Sequence, residues 1–180
     1  MRIQRQITAV LLPGFGATAR QPLLVQLGAK LRAAGFDVAP LTLKRRKPDA
    51  TLEAEVALLK QHVKGQGVWL GRSFGGRVCA RLAVKSPPRA LVLLGFPVRP
   101  PGKKRPLDEE ALLQLKCPTL LLQGSRDPLA PLSVLRRLVK RNPHLMLEIV
   151  EGATHTYGRH QNRVLDCAVQ WLEEVVEHSS

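Results

Sequence analysis

The chain has 180 residues, of which 44% are hydrophobic, a length that accommodates one hydrophobic core and is short for two. Lysine and arginine number 28 against 14 acidic residues, which gives a formal net charge of +14 and points to acidic partners or substrates. This composition excludes disordered and fibrous proteins and predicts one domain over residues 1–180.

Strands and helices are predicted to alternate along the whole chain. An apolar strand over 7–12 ends at Pro13, and a helix over 22–34 follows, with leucines at helical spacing. Later strands are predicted over 36–41, 67–70, 90–94, 119–123 and 145–150, and later helices over 51–63, 75–85, 133–140 and 163–176. Such alternation, with continuous apolar strands, is typical of a doubly wound α/β fold with a parallel sheet covered on both faces. Ligands of such sheets bind beyond the carboxyl ends of the strands.

A serine surrounded by glycines follows the third predicted strand, in the stretch WLGRSFGGR over 69–77. The pattern G-x-S-x-G between a strand and a helix forms a sharp turn that strains the backbone of Ser73 and projects its hydroxyl. Side chains at Gly71 and Gly75 would collide there, and Gly76 lets the following helix approach the neighbouring strand. The helix N-terminus also directs N–H groups at developing negative charge. The same residues could instead form an ordinary turn or a phosphate-binding loop.

A serine nucleophile needs a histidine to accept its proton and a carboxylate to orient that histidine. Asp127 follows the fifth predicted strand and His155 follows the sixth, in the chain order that this turn pattern requires. Taken singly, Asp127 could cap a turn, and His155 could be a solvated loop histidine, as could His144 and His160. Because the three residue types occur in order, each after its own strand, we predict a catalytic triad.

Two loops are expected to supply backbone donors for an oxyanion hole. One donor is the N–H of Phe74, directly after the serine, and the other is the N–H of Phe15, in the loop that follows the first strand. Each such donor stabilises a tetrahedral intermediate by about 3–4 kcal/mol. The first loop could also be a plain glycine–proline turn.

These motifs together resemble the α/β-hydrolase superfamily, over nearly the whole chain from 7 to 174. They resemble its compact, lid-poor branch, which is similar to dienelactone hydrolases and to the hydrolase-like domain in a subunit of the nonspecific-lethal chromatin complex. The resemblance implies a six-stranded, mostly parallel sheet without a cap domain. It also implies the site residues: nucleophile Ser73, acid Asp127, base His155, and donors Phe15 and Phe74. Dienelactone hydrolases carry cysteine at the position of Ser73, and many relatives have His-Gly where this chain has Pro13-Gly14.

Basic residues concentrate in the loops that follow strands, and we expect them to ring the mouth of the site. They are Lys44 to Lys47, the segment from Arg99 to Arg105, Arg72, Arg126, Arg159 and His160. A cleft lined by one sign of charge concentrates ligands of the opposite sign, so we predict an anionic substrate, with Arg72 and Arg126 as candidate contacts. The alternative is that these side chains are solvated loop surface.

The predicted function is hydrolysis of a carboxylic ester or thioester through an acyl-enzyme on Ser73, with no metal or cofactor. The segment 95–118 is too short for a lid, so the site should be shallow and open. The alternative is a non-catalytic, hydrolase-like scaffold that binds nucleic acid or an acidic protein through its basic surface. Aromatic residues make up 4% of the chain, which speaks against base stacking and so against nucleic acid.

Compartment is predicted from features that the sequence lacks. Apolar runs such as Ala90 to Leu94 are far shorter than the roughly 20 residues of a membrane span, and the N-terminus does not fit a signal peptide. The three cysteines, Cys79, Cys117 and Cys167, have no CxxC spacing, which favours reduced thiols over disulfides or a metal site. We therefore expect a cytoplasmic protein without a membrane span, whose oligomeric state the sequence does not indicate.

Overall fold

The computed structural model describes residues 7–43, 50–63 and 67–178. These ranges contain six strands: β1 (Thr8–Leu12), β2 (Asp37–Pro40), β3 (Val68–Arg72), β4 (Ala90–Leu94), β5 (Thr119–Gly124) and β6 (Leu145–Val150). They also contain six α-helices: α1 (Pro22–Ala33), α2 (Glu53–His62), α3 (Phe74–Lys85), α4 (Pro106–Gln114), α5 (Leu132–Arg141) and α6 (Gln161–His178). A short 3₁₀ helix, Gly158–His160, leads into α6.

The strands form one parallel sheet in the order β2-β1-β3-β4-β5-β6. Every residue of β3, β4 and β5 is buried, which explains why these strands are continuous apolar runs rather than alternating ones. The chain goes from β1 to β2 on one side and then crosses to β3 on the other. The carboxyl ends of β1 and β3 therefore flank a topological switch point, where ligands bind in open α/β sheets.

Two hydrophobic cores hold helices against the two faces of the sheet. One core packs α1 and α6 on one face, and the other packs α2, α3, α4 and α5 on the opposite face. Full burial of a leucine side chain contributes about 1.5–3 kcal/mol, so fully buried residues such as Leu27 in α1 and Leu135 in α5 anchor their helices. This layering confirms the predicted doubly wound α/β fold with a six-stranded sheet. In the described ranges no helix is long and apolar enough to cross a membrane.

Most predicted elements are present with shifts of one or two residues at their ends, but α4 was not predicted. Its sequence buries only a few side chains along one side, so it carries little apolar periodicity. The helix is held instead by Asp108, which is fully buried between two arginines of α3. Its carboxylate accepts hydrogen bonds from Arg77 Nε at 2.6 Å and from Arg81 Nε and Nη2 at 3.0 and 2.9 Å.

The cysteines occupy structural positions. Cys79 on α3 and Cys117 before β5 are buried, Cys167 on α6 is partly buried, and all three are free thiols. Burial raises the pKa of each thiol, most strongly for Cys79. These thiols are therefore poor nucleophiles at neutral pH.

Candidate active site

The turn between β3 and α3 places Ser73 in a strained backbone conformation. Its φ of 49° and ψ of −109° lie outside the regions that side-chain-bearing residues normally adopt. The Ser73 N–H donates to the carbonyl of Leu94 at 2.9 Å, which ties the turn to the end of β4. The next residue, Phe74, already begins α3, so the hydroxyl lies directly at a helix N-terminus.

The glycines around Ser73 sit where backbone segments touch. A Cβ on Gly71 would lie 2.5 Å from the backbone of Gly76, and a Cβ on Gly75 would lie 2.6 Å from the carbonyl oxygens of Leu12 and Pro13. At Gly76 the corresponding contact, to the carbonyl of Gly71, is 3.1 Å. As expected from the sequence, a side chain at Gly71 or Gly75 would collide with neighbouring backbone atoms, so the turn has no room for side chains there.

We expect Gly75→Ala to destabilise the fold by about 3 kcal/mol or more, because the added methyl group meets two carbonyl oxygens that cannot rotate away. The matched control is Gly28→Ala, on α1, where a Cβ would have ordinary contacts of 3.4 Å and longer. Alanine in that helix interior should be neutral or stabilising by about 0.5–1 kcal/mol. Urea unfolding of both variants measures the difference, and equal effects at the two glycines would contradict the packing described for the turn.

The side chains of Ser73, His155 and Asp127 form one hydrogen-bonded chain. His155 Nε2 lies 3.0 Å from Ser73 Oγ, and His155 Nδ1 lies 2.7 Å from Asp127 Oδ2. The Asp127 carboxylate is buried and also accepts hydrogen bonds from Gln123 Nε2 at 2.6 Å and from the Leu129 N–H at 2.8 Å. Burial alone would raise the pKa of Asp127, but the hydrogen bonds and the neighbouring histidine outweigh it and leave that pKa lowered.

Backbone contacts fix the loop that carries His155. The Arg126 N–H donates to the carbonyl of Ala153 at 2.9 Å, and the Gly152 N–H donates to Ser125 Oγ at 2.9 Å. A Cβ on Gly124, at the end of β5, would lie 2.4 Å from the Ala153 carbonyl. The loops that carry Asp127 and His155 are therefore packed directly on each other.

The loop after β1 faces the turn at Ser73. The Gly14 N–H donates to Gln21 Oε1 at 3.1 Å, and the Phe15 ring meets the Phe74 ring edge to face, with centroids 5.7 Å apart. Among the described residues, no acceptor is bonded to the backbone N–H of Phe15 or Phe74. Both N–H groups are therefore free to donate to a ligand.

The two arginines predicted at the mouth of the site differ in position. Arg72 is buried, and its guanidinium donates to the carbonyl oxygens of Leu94, at 3.2 Å, and His155, at 2.5 Å. Arg126 is exposed and lines an open cavity of about 330 Å³ together with Arg159 and His160. Within the described residues, neither Arg126 nor Arg159 has a carboxylate within ion-pair distance.

The structure describes some of the other basic residues that were predicted at the rim. Arg99 pairs with Glu109 of α4, and Arg105 Nη1 donates to the carbonyl of Pro97 at 2.9 Å, so both side chains have partners in the protein. The run from Lys44 to Lys47 lies outside the described residues. In the part of the chain that the structure describes, no group of three or more His, Cys, Asp or Glu side chains could hold a metal ion.

Residues 6–179 match the family described as an alpha/beta hydrolase domain. The chain belongs to the α/β-hydrolase family. The predicted resemblance to the α/β-hydrolase superfamily is thereby confirmed.

Solved structures share the fold of this α/β hydrolase at low sequence identity. Est1E from Butyrivibrio proteoclasticus gives a TM-score of 0.78 at 14% identity, with 96% of this chain and 89% of that chain covered. The monoacylglycerol lipase of Paleococcus ferrophilus gives 0.78 at 16% identity, covering 93% and 94%. A dienelactone hydrolase from Anabaena variabilis gives 0.66 at 22% identity, covering 96% and 86%. These similarities establish the fold.

Four residues of the hydrolase site were not predicted from the sequence. Gln21 Oε1 accepts a hydrogen bond from the Gly14 N–H in the loop after β1, and Gln123 donates one to Asp127. The Tyr157 ring lies against the Arg72 guanidinium, and Gly124 lets the loop of His155 approach β5. A signal existed for Gln123, because an amide at the end of the apolar run TLLLQ is buried at a cost unless it is hydrogen-bonded. Tyr157 is the sole tyrosine of the sequence, but nothing local to it indicates its contacts.

Proposed function

We propose that this chain is a single α/β-hydrolase domain over residues 1–180 that cleaves carboxylic esters or thioesters through an acyl-enzyme on Ser73. The observation that carries the proposal is the unbroken chain from a buried carboxylate to a strained serine, with contacts of 2.7 and 3.0 Å. Proteins of similar fold include a monoacylglycerol lipase and a dienelactone hydrolase, which supports an ester substrate.

In the proposed reaction, His155 Nε2 accepts the hydroxyl proton as Ser73 Oγ attacks the carbonyl carbon. The resulting oxyanion accepts hydrogen bonds from the N–H groups of Phe15 and Phe74, and Asp127 stabilises the imidazolium. His155 then gives its proton to the leaving alcohol or thiol, and the acyl group stays on Ser73. Water, deprotonated by His155, attacks the acyl carbonyl, and the carboxylic acid is released as Ser73 recovers its proton.

The substrate is proposed to be small or extended, and to carry an anionic group. The segment between β4 and β5 contains the nine-residue helix α4, which is bound to α3 through Asp108, so this segment packs on the domain and does not form a separate cap domain. Phe15, with 69% of its surface exposed, offers an apolar contact beside the nucleophile. Arg126 and Arg159 border a cavity formed by the loops that carry Asp127 and His155, and their unpaired charges favour a carboxylate or phosphate.

The proposed function is tested by exposing the folded protein to a fluorophosphonate and measuring its intact mass, followed by peptide mapping. We expect one adduct on Ser73 in the wild type. Ser73→Ala should form none because it lacks the hydroxyl, and His155→Ala should form none because the hydroxyl is a weak nucleophile without its base. Circular dichroism of each variant shows whether it is folded. A folded wild-type protein that forms no adduct would overturn the proposal.

The anionic preference predicts a charge-dependent effect of the two cavity arginines. Arg126→Gln combined with Arg159→Gln should lower kcat/KM about 5–20-fold for a carboxylate-bearing ester and leave its neutral isostere nearly unchanged. The control is Arg136→Gln, an exposed arginine on α5 that borders a different cavity. Rates are measured at several salt concentrations, since steering weakens with ionic strength. Equal losses on both esters would rule out recognition of the anion by these side chains.

A second candidate function is the non-catalytic scaffold, favoured by the basic outer face of α5. A shallow cavity of about 380 Å³ on this face is bordered by four basic residues, Arg136, Arg137, Lys140 and Arg141. Contacts between such a face and phosphates would make DNA affinity fall steeply with salt. DNA binding with that salt dependence, in a protein that forms no fluorophosphonate adduct, would favour the scaffold over the hydrolase. The cytoplasmic location expected from the sequence stays a prediction under either function.

A further inference from the structure

Arg72, directly before the nucleophile, carries a buried charge whose bonding partners are not carboxylates. Arg72 is 4% exposed. Its Nη1 donates to the carbonyl oxygen of Leu94, and its Nη2 donates to that of His155. Among the described residues no acidic side chain lies within ion-pair distance of it. Burial lowers the pKa of Arg72, an effect opposed by the nearby Tyr157 and Asp127, yet arginine stays charged under all physiological conditions. A cation kept at this cost beside the histidine needs an explanation.

The surroundings of Arg72 hold its guanidinium in one place. Its Cζ lies 5.5 Å from the centre of the Tyr157 ring, a cation–π distance, and the Tyr157 hydroxyl donates to the carbonyl of Leu122 at 2.6 Å. A Cβ on Gly95 would lie 2.6 Å from Arg72 Nη1, so the guanidinium occupies the space that a side chain at position 95 would fill. Arg72 thus forms hydrogen bonds to the end of β4 and to the loop of His155, and Tyr157 forms one to β5.

The same guanidinium also approaches the reacting edge of the imidazole. Arg72 Nη1 lies 3.3 Å from His155 Nε2, the atom that faces Ser73 Oγ. Guanidinium has five N–H donors and no acceptor, so it can bond to Nε2 only when that nitrogen carries a lone pair. On the opposite edge of the ring, the Asp127 carboxylate can only accept, so it needs a proton on Nδ1. Both neighbours therefore select the same tautomer.

We propose that Arg72 is a positioning residue, which holds the loop of His155 through its carbonyl and selects the Nδ1–H tautomer through Nη1. This inference rests on the proposed function, because that tautomer alone can take the proton of Ser73. After the transfer, the protonated Nε2 faces a fixed cation, and the repulsion favours passing the proton on to the leaving group.

The inference is tested with Arg72→Met, which keeps most of the buried volume and removes the donors. Nitrogen-15 NMR of the labelled imidazole reads the His155 tautomer in any folded sample, whether or not the protein is an enzyme. We expect the wild type to show one tautomer with the proton on Nδ1, and Arg72→Met to show exchange between tautomers or ring orientations. The control is Arg163→Met, the same replacement at an exposed arginine on α6, which should keep the wild-type tautomer. Identical imidazole spectra in the wild type and Arg72→Met would overturn the proposal.

A second measurement separates positioning from packing by chemical rescue. Arg72→Ala should form the fluorophosphonate adduct about 10–100-fold more slowly, the size of effect that a misplacement of about 1 Å causes. Added guanidinium ion, at millimolar concentration, should restore part of that rate by filling the vacated site, and tetramethylammonium ion at equal ionic strength should not. A rate unchanged by the substitution, or slowed equally with and without guanidinium, would count against Arg72. An unreactive wild type would instead refute the proposed function and leave the NMR result as the deciding measurement.

Discussion

Replacing Asp127 with asparagine is expected to lower kcat for ester hydrolysis by about 10³–10⁴-fold while the fold stays intact. The carboxylate accepts hydrogen bonds from three donors, one of which is His155 Nδ1. An asparagine amide has a single acceptor oxygen, so its NH₂ group must replace one carboxylate oxygen and can donate to His155 Nδ1. The ring would then carry its proton on Nε2, where it cannot accept the proton of Ser73. Steady-state kinetics on a small ester measure the loss.

The control for this substitution is Asp166→Asn on α6, which removes the same charge from an exposed aspartate paired with Lys30. It should leave kcat within about twofold of the wild type, since surface pairs contribute little. A loss below tenfold in Asp127→Asn would mean that the carboxylate does not set the tautomer.

Acid unfolding supplies an independent check on Asp127. Because the pKa of Asp127 is lowered in the folded protein, its contribution to stability is present above the ordinary aspartate pKa. That contribution is lost as pH falls through the lowered value in the folded state. Asp127→Asn should therefore flatten the decline in unfolding free energy at acid pH relative to the wild type.

The second large effect is expected at Asp108, where Asp108→Asn should lower the free energy of unfolding by about 3–5 kcal/mol. The substitution leaves the buried guanidinium of Arg77, 8% exposed, without a counter-charge, and it weakens the contact of α4 with α3. Urea unfolding followed by tryptophan fluorescence measures the change, with Trp69 in the buried sheet as a reporter.

Asp166→Asn serves again as the matched control. Its ion pair with Lys30 is solvent-exposed on both sides, with side chains 63% and 39% exposed, and it should cost less than about 1 kcal/mol. Similar losses in the two variants would show that the pair of Asp108 with Arg77 is not desolvated in solution.

The sequence predicted the strands well because their burial on both faces demands continuous apolar runs. It placed the end of the third strand two residues early, since β3 continues to Arg72 by pairing with β4, and no local pattern records that pairing. The helix α4 was missed because it is anchored by an ion pair with α3 rather than by an apolar stripe. Elements that depend on distant partners are those that periodicity cannot reveal.

In the candidate site, too, local sequence patterns predicted some residues and missed those that depend on distant partners. The order of Ser73, Asp127 and His155 was readable because each follows its own strand, at the edge where parallel strands end together. Arg72 was predicted at the rim because a charged side chain in a loop is normally solvated. It turns inward instead, because its acceptors belong to residues 22 and 83 positions away in the chain. Gln21 was likewise unpredictable, since its acceptor role depends on how the loop after β1 folds back.

The contact of Gly75 with the carbonyl oxygens of Leu12 and Pro13 sets how this site can change during evolution. The spacing between the two loops at this point is dictated by main-chain atoms meeting main-chain atoms, so no side-chain replacement elsewhere can tune it gradually. The two backbone segments leave no room for a methyl group at this point. Substitutions that this site tolerates are therefore expected at exposed side chains such as Phe15 and Arg126, which can be exchanged without disturbing that spacing.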